Sequence, residues 1–482
     1  MKIRIISMVL ACLMLATAMV SCKKSEEEVE TTVSTQEAVV TEERTFENLP
    51  AIDFGGETIT ILTRKGGNTL WNPIGWYSEG VSEEPIPNAV YARNVMVQDK
   101  YHCTIQQIED EMYLESALAD FAVQGGDYDI IVMPIIQQIS SMAINGCLYD
   151  LASLESIRTD DPWWDNKTNS SLSLLNHYYT LTGDLDVVDN LATWCVFFNK
   201  DMSRDLQLDD HYEVVEAQGW TLDKMYQNAA RAANVENGIY GIGSEVDAAT
   251  AFICASGLKT FEKNADDVPE VKLINSAFKD VIYKVHEQMS KPQVNIIAED
   301  MSDTFGGLYR TFRLKKSLYC VGTLSNAINT QITSIDAEYG ILPIPKYNES
   351  AEGYISMIQG SNGTGVSILS FRDDAENLGA FLTAMSAAST NTLVPAFYDT
   401  TLMAREVPDE ESIVTLEIIL NNRQVDLGYI ISEDLRKLFG ETFKDRTSYT
   451  YASKERSYRD SISNDLDKIV NNIRNNFAEV AS

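Results

Sequence analysis

Apolar and polar positions first fall into strict alternation at Glu57–Thr63 (ETITILT), the period of a half-buried strand. The period then lengthens. Pro87–Tyr101 reads as a helix with proline in its first turn, where the missing N–H costs nothing. Cys103–Ile108 returns to a strand pattern, and Tyr113–Val123 is a helix ended by Gly125-Gly126. Tyr128–Met133 (YDIIVM) is a short buried strand stopped by Pro134, and Ile135–Asn145 is a helix closed by Gly146. This β-α-β-α-β-α order predicts an open, mostly parallel sheet with helices on both faces. Ligands of such sheets sit beyond the carboxyl ends of the strands.

The rhythm breaks around Tyr178–Asp189, and a longer, helix-rich section follows. Its predicted elements are a helix over Trp220–Ala233, a strand at Ile239–Gly243, a helix from about Lys272 to Met289 and a strand at Leu318–Val321. A helix over Thr323–Ser334, short strands at Tyr339–Pro345 and Gly363–Leu369, and a helix over Asp373–Ala388 come next. From about Asp409 onward the chain is mostly helical, and no repeat of fixed period is present.

The N-terminus is a different kind of segment. Lys2 and Arg4 precede an apolar run from Ile5 to about Val20, and Ser21-Cys22 end it. This is the layout of an export signal, too short for a typical spanning helix of about 20 residues. The Val-Ser-Cys ending resembles a bacterial lipobox, with Met19 where leucine is commonest. An ordinary signal peptide with an incidental cysteine is the alternative. The expected division is a lipoprotein signal at 1–21 and a lipidated Cys22 with an acidic, disordered tether at 22–50. Palmitate or a similar acyl chain on Cys22 would hold the protein outside the cytoplasm, on a membrane and not through it.

Charge and cysteine usage narrow the classes further. The formal net charge of −33 repels phosphate backbones and anionic headgroups, so nucleic-acid binding is excluded as an expectation. Of seven cysteines, Cys12 leaves with the signal and Cys22 carries lipid, which leaves five widely spaced ones and no CxxC pair. A disulfide framework is not expected, though one bridge stays possible. His102, His177, His211 and His286 are scattered without metal-ligand spacing, so no metal and no cofactor are expected.

Five segments together resemble the extracellular solute-binding proteins of ABC importers, in the family with sugar-binding members. They are the lipobox with its tether, Gly125–Pro134 (GGDYDIIVMP), Val196–Met202 with Gly219–Ala232, Tyr339–Asn348 (YGILPIPKYN), and Val394–Arg405 (VPAFYDTTLMAR). The resemblance implies an α/β, two-lobed periplasmic-binding-protein fold, type II-like. Each lobe would be a mostly parallel sheet flanked by helices, joined by crossing hinge strands. By the same analogy lobe 1 is 54–184 plus 341–398, and lobe 2 is 190–338 plus 402–475. It further implies a monomer that delivers an oligosaccharide to ABC permease subunits and performs no chemistry.

Aromatic rings suit sugar faces, and neighbouring polar groups suit hydroxyls. Trp71, Trp76 and Tyr77 stand in a loop after the first strand, Trp163 lies in DPWWD, and Trp194 follows the first expected crossing. Each is equally readable as a packing residue. Asp184, Asp186 and Asp189 form the densest acidic cluster near a crossing. Asp184 is the candidate ligand contact, against a solvated hinge. Two carboxylates spaced by two on a strand would share a face, which is too local for the paired geometry of a glycosidase. Gly360–Gly365 precedes a strand and so is no phosphate loop; Ser361 and Asn362 could still donate to a ligand, as could Tyr398. A surface carbohydrate-active enzyme and a sensor or adhesion lipoprotein remain alternatives. The anchor has a direct test: Cys22→Ala should shift the protein out of the membrane fraction and change its processing, and an unchanged distribution excludes the anchor.

Overall fold

The computed structural model describes residues 44–65, 75–273, 275–328, 338–403 and 410–480. Cys22, the export segment and most of the expected tether lie outside these residues, as does Trp71. No helix among the described residues is long and apolar enough to cross a membrane.

Thirteen strands are described, in chain order: β1 (Thr58–Arg64), β2 (Thr104–Asp110), β3 (Ile130–Pro134), β4 (Trp194–Asn199), β5 (Tyr240–Ser244), β6 (Phe261–Lys263) and β7 (Pro269–Val271). The rest are β8 (Asn295–Ile297), β9 (Ser317–Thr323), β10 (Tyr339–Leu342), β11 (Ser356–Met357), β12 (Thr364–Ser367) and β13 (Arg423–Gln424). One sheet has the order β12-β3-β1-β2, and a second the order β10-β4-β9-β5-β8. In the first, β1 runs parallel to β2 and β3, with Ile61 opposite Gln107 and Ile130, while β12 is antiparallel to β3. Every residue of β3 is buried, which explains its unbroken apolar run: helices cover both faces. In the second sheet β5 is parallel to β8 and β9, and β4 is antiparallel to β9 and β10. The result is two α/β lobes, each around its own sheet.

Two connections between the lobes are described, and they ladder onto each other. Thr193, on the way from lobe 1 into β4, bridges Ile358, on the way from β10 to β12. The Gln359 amide donates to the Ala192 carbonyl at 2.9 Å. Strand β13 then pairs in parallel with β11, and the Ile358 amide donates to the Gln424 carbonyl at 2.8 Å. These three strips form a narrow waist.

Several boundaries differ from the sequence expectation. Residues 44–50, expected in the tether, dock on lobe 1: Phe46 and Leu49 are buried, and Arg44 pairs with Asp161 at 2.5 Å. Two apolar side chains in a polar stretch are enough to bring it down. The lobe boundary expected at 341 falls inside β10, a strand of the second sheet. Val394–Arg405, expected at a crossing, is helical over Leu393–Met403, since Pro395 falls in the first turn where a helix tolerates it. That helix packs on Pro85–Tyr101 of lobe 1, whereas Glu410–Asn421 packs on β10 of lobe 2. Ile135–Asn145 is a helical turn followed by π- and 3₁₀-helical turns. Of the helix expected over Thr323–Ser334, Ser325–Ile328 is described. All five cysteines of the described body are buried and free.

Lobe 2 contains a buried histidine. The His211 ring stacks on Phe198 with centroids 4.5 Å apart, and Nε2 lies 2.6 Å from the Tyr319 hydroxyl. Asn228 donates to that hydroxyl at 3.1 Å, so Tyr319 donates onward to a neutral imidazole. Burial pushes the His211 pKa down to about 4. The folded state therefore binds fewer protons than the unfolded one between about pH 6.5 and 4, and stability from this group falls as pH drops through that window. Urea titrations at a series of pH values should show wild type losing ~3 kcal/mol relative to His211→Gln between pH 7 and 4. A constant difference would mean that the ring titrates in the fold as it does in the unfolded chain.

Candidate functional site

The parallel strands of lobe 1 end at Arg64, Asp110 and Pro134, and those of lobe 2 at Ser244, Ile297 and Thr323. Ligands of open α/β sheets lie beyond such ends. At the lobe 1 edge, burial lowers the Arg64 pKa, while Tyr113 and Asp186 favour its charge. The Tyr113 hydroxyl donates to Gln137 Oε1 at 2.7 Å. At the lobe 2 edge, Glu245 follows β5 directly and accepts from the Tyr309 hydroxyl at 3.3 Å. Glu299 accepts the Val246 amide on both oxygens, at 3.0 and 3.1 Å. Burial, then repulsion from Asp247 and Glu299, pushes Glu245 up to about 7. Asp247 is exposed, yet its pKa is raised by surrounding protein and by Glu299. One edge thus offers a guanidinium, a phenol and an amide, and the other offers carboxylates: a set suited to hydroxyl groups. Arg64, Gln137 and Glu245 belong to no motif in the sequence. Their only signal there is position, at or just after the ends of strands.

A second polar cluster sits at the waist. Arg423, on β13, pairs with Asp165 at 3.0 Å and Asp189 at 3.2 Å, and its Nε donates to the Leu420 carbonyl at 3.1 Å. Asp165 caps the short helix Asn166–Leu172 by accepting the Thr168 amide at 3.2 Å. The Asp165 amide reaches the Thr182 carbonyl at 3.0 Å, and the Asp184 amide reaches the Trp163 carbonyl at 2.9 Å. Gly183 permits this close approach, because a Cβ there would collide with the Trp163 carbonyl oxygen. So DPWWD and GDLDVVD, separate segments of the sequence, meet around one guanidinium. Burial works against the charge on Arg423, but Asp189, Asp165 and Asp184 outweigh it and raise its pKa. Burial pushes Asp189 up to about 7 despite Arg423. It also pushes Asp184 up to about 6, opposed by the Thr390 hydroxyl that donates to it at 2.7 Å. A cavity of about 270 Å³ opens here, lined by Trp164, Asp184, Asn190, Tyr398 and Arg423 among others.

Of the residues singled out in the sequence, Asp184 and Tyr398 therefore meet. Asp186 turns elsewhere: it accepts the Val187 and Val188 amides at 2.7 and 3.1 Å and the Thr364 hydroxyl. The segment is a turn leading into the helical turn Val188–Leu191, not a strand, so Asp184 and Asp186 share no face. Trp76 is fully buried, with the Arg93 guanidinium 6.0 Å from its ring centre. Trp163 is buried under Arg44, 5.8 Å from the ring. Trp194 opens β4 inside the core. None of these three rings is open to a ligand in this conformation. Tyr77 is 49% exposed. Ser361 is exposed in the turn after the waist, and the Asn362 side chain donates to Gln359 Oε1 at 2.7 Å.

No family model and no curated protein matches the sequence. Solved structures do. A cyclo/maltodextrin-binding protein complexed with maltotetraose superposes with a TM-score of 0.55 at 12% identity, covering 87% of this chain and 96% of that one. The two-lobed solute-binding fold is this chain's fold. The GacH receptor of Streptomyces glaucescens, solved unliganded and with acarbose, gives 0.54 at 12% identity over 85% and 99% of the two chains. An ABC substrate-binding protein from Listeria monocytogenes in complex with cycloalternan gives 0.51 at 12% identity over 88% and 99%. Arg423 is the cation at the waist, its side chain 13% exposed and shared by two carboxylates. Arg423→Gln leaves Asp165 and Asp189 without their cation and should cost about 3–5 kcal/mol of unfolding free energy. A change under about 1 kcal/mol would show that the carboxylates are already neutral in the fold.

Proposed function

We propose that this chain is a membrane-tethered extracytoplasmic receptor that delivers an oligosaccharide to an ABC import permease and catalyses no reaction. The observation that carries this reading is the architecture. Two α/β lobes meet at a laddered waist, as in a fold shared with sugar-bound proteins over 85–88% of the chain. The ligand would lie between the carboxyl ends of the two sheets. Arg64, Tyr113 and Gln137 would meet it from one lobe, and Glu245 and Asp247 from the other. A ligand that touches both edges favours the closed arrangement in proportion to its extra affinity for that state.

Tyr77, Ser361 and Asn362 are accessible enough to add contacts, and Trp71 belongs to the same stretch of sequence as Tyr77. Asp184 and Tyr398 would serve a ligand in the smaller cavity at the waist. The buried Trp76, Trp163 and Trp194 act from beneath, by holding loops and strand ends in place. A lipid on Cys22 would keep the receptor beside its permease, and the chain would work as a monomer.

Thermal unfolding with a panel of oligosaccharides, monosaccharides, peptides and polyamines tests the ligand class. A cognate glycan at 100 times its dissociation constant should stabilise the fold by about 2.7 kcal/mol. The same glycan should bind at least tenfold more weakly to Glu245→Gln with Gln137→Ala. Stabilisation by a peptide or polyamine and by no glycan would overturn the carbohydrate reading; release of cleaved glycan would overturn the non-enzymatic one.

A further inference from the structure

A cavity of about 650 Å³ lies away from the sheet edges, beside the waist. Its walls come from both lobes. Lys167 and Ser171 stand on the helix Asn166–Leu172 of lobe 1; Lys259, Glu262 and Lys263 belong to lobe 2; Gln424 belongs to β13. Three lysines face one glutamate here, in a chain with 38 basic residues against 71 acidic ones. Such a local reversal of sign focuses anions.

The lysines are not equally committed. Lys263 pairs with Asp267 at 3.1 Å and donates to the Ser170 carbonyl at 2.7 Å and the Ser173 hydroxyl at 2.8 Å. Lys167 donates to the Asn421 carbonyl at 2.8 Å and to Asn422 Oδ1 at 3.4 Å, both neutral. Lys259 is exposed, and neither it nor Lys167 has an ion-pair partner among the described residues. The neighbouring Asp426 attracts Lys259 but forms no ion pair with it; its carboxylate accepts the Thr260 amide at 2.9 Å and the Thr260 hydroxyl. One lysine without an ion pair among the described residues therefore lines the shared cavity from each lobe, beside the waist strand.

We infer that this cavity is a second ligand site, for a small multivalent anion that bridges Lys167 of one lobe and Lys259 of the other. An anion held this way contacts both sides of the waist, so its binding is coupled to the lobe arrangement and, reciprocally, to whatever occupies the cleft. The site does not depend on the cleft ligand being a carbohydrate.

The test uses pyrophosphate and citrate as probes, in thermal unfolding and isothermal titration at constant ionic strength, with sodium chloride as the control. Both anions should bind wild type, and Lys167→Gln/Lys259→Gln should raise their dissociation constants at least tenfold. Lys167→Arg/Lys259→Arg keeps both charges and should retain binding, which separates loss of charge from loss of folding. Stabilisation matched by sodium chloride, or anion binding unchanged in the glutamine variant, would overturn the site.

Discussion

The waist of this molecule is organised by one guanidinium. Arg423 arrives on a two-residue strand of lobe 2 and pairs with Asp165 of lobe 1 and Asp189 of the crossing segment. A buried charge that lacks a partner is expensive, so each group constrains the others. Asp165 must cap its helix at that place, Gly183 must lack a side chain, and β13 must lie against β11. The parallel pairing of β11 with β13 and the bridge from Thr193 to Ile358 complete a junction in which few residues set how two large lobes meet.

The same junction separates two electrostatic regimes. The edge of the lobe 2 sheet gathers Glu245, Asp247 and Glu299, and their mutual repulsion adds to burial in raising the Glu245 and Asp247 pKa values. The cavity beside the waist gathers Lys167, Lys259 and Lys263. In a chain with net charge −33, a basic hollow this close to the waist gives anions a place to act on lobe geometry. Trp76 and Trp194 take no direct part. Trp76 sits under Arg93 and Trp194 in the core at the start of β4, so their large apolar areas stabilise the loops and strands that carry polar groups.

Lobe 1 was legible in the chain because its pattern is local. Alternation in β1, the unbroken run in β3 and the glycine stops after helices each come from side-chain burial within a few residues. Lobe 2 was less so. Strand β8 is short and takes its place through β5, far away in sequence, so no period marks it, whereas β10 falls within the strand expected at Tyr339–Pro345. Val394–Arg405, placed at a crossing by resemblance, begins inside a helix with Pro395 in its first turn. The aromatic candidates failed as a site signal for a related reason: a tryptophan in a polar loop is equally consistent with a ring turned inward, and Trp163 is turned inward beneath Arg44.

What the sequence determined by itself was the class of architecture: alternating elements, an acidic chain and a change of rhythm near Tyr178. These properties depend on composition and short-range period, which no tertiary contact can alter. Which polar residues meet was decided only by the folded structure. Asp184, Asp186 and Asp189 lie within six residues of one another, yet Asp184 pairs with Thr390, Asp186 with Thr364 and Asp189 with Arg423. Those partners come from positions about 180 to 230 residues distant, brought in by the packing of two lobes at the waist; carboxylate chemistry is local, but its partners and its dielectric are not.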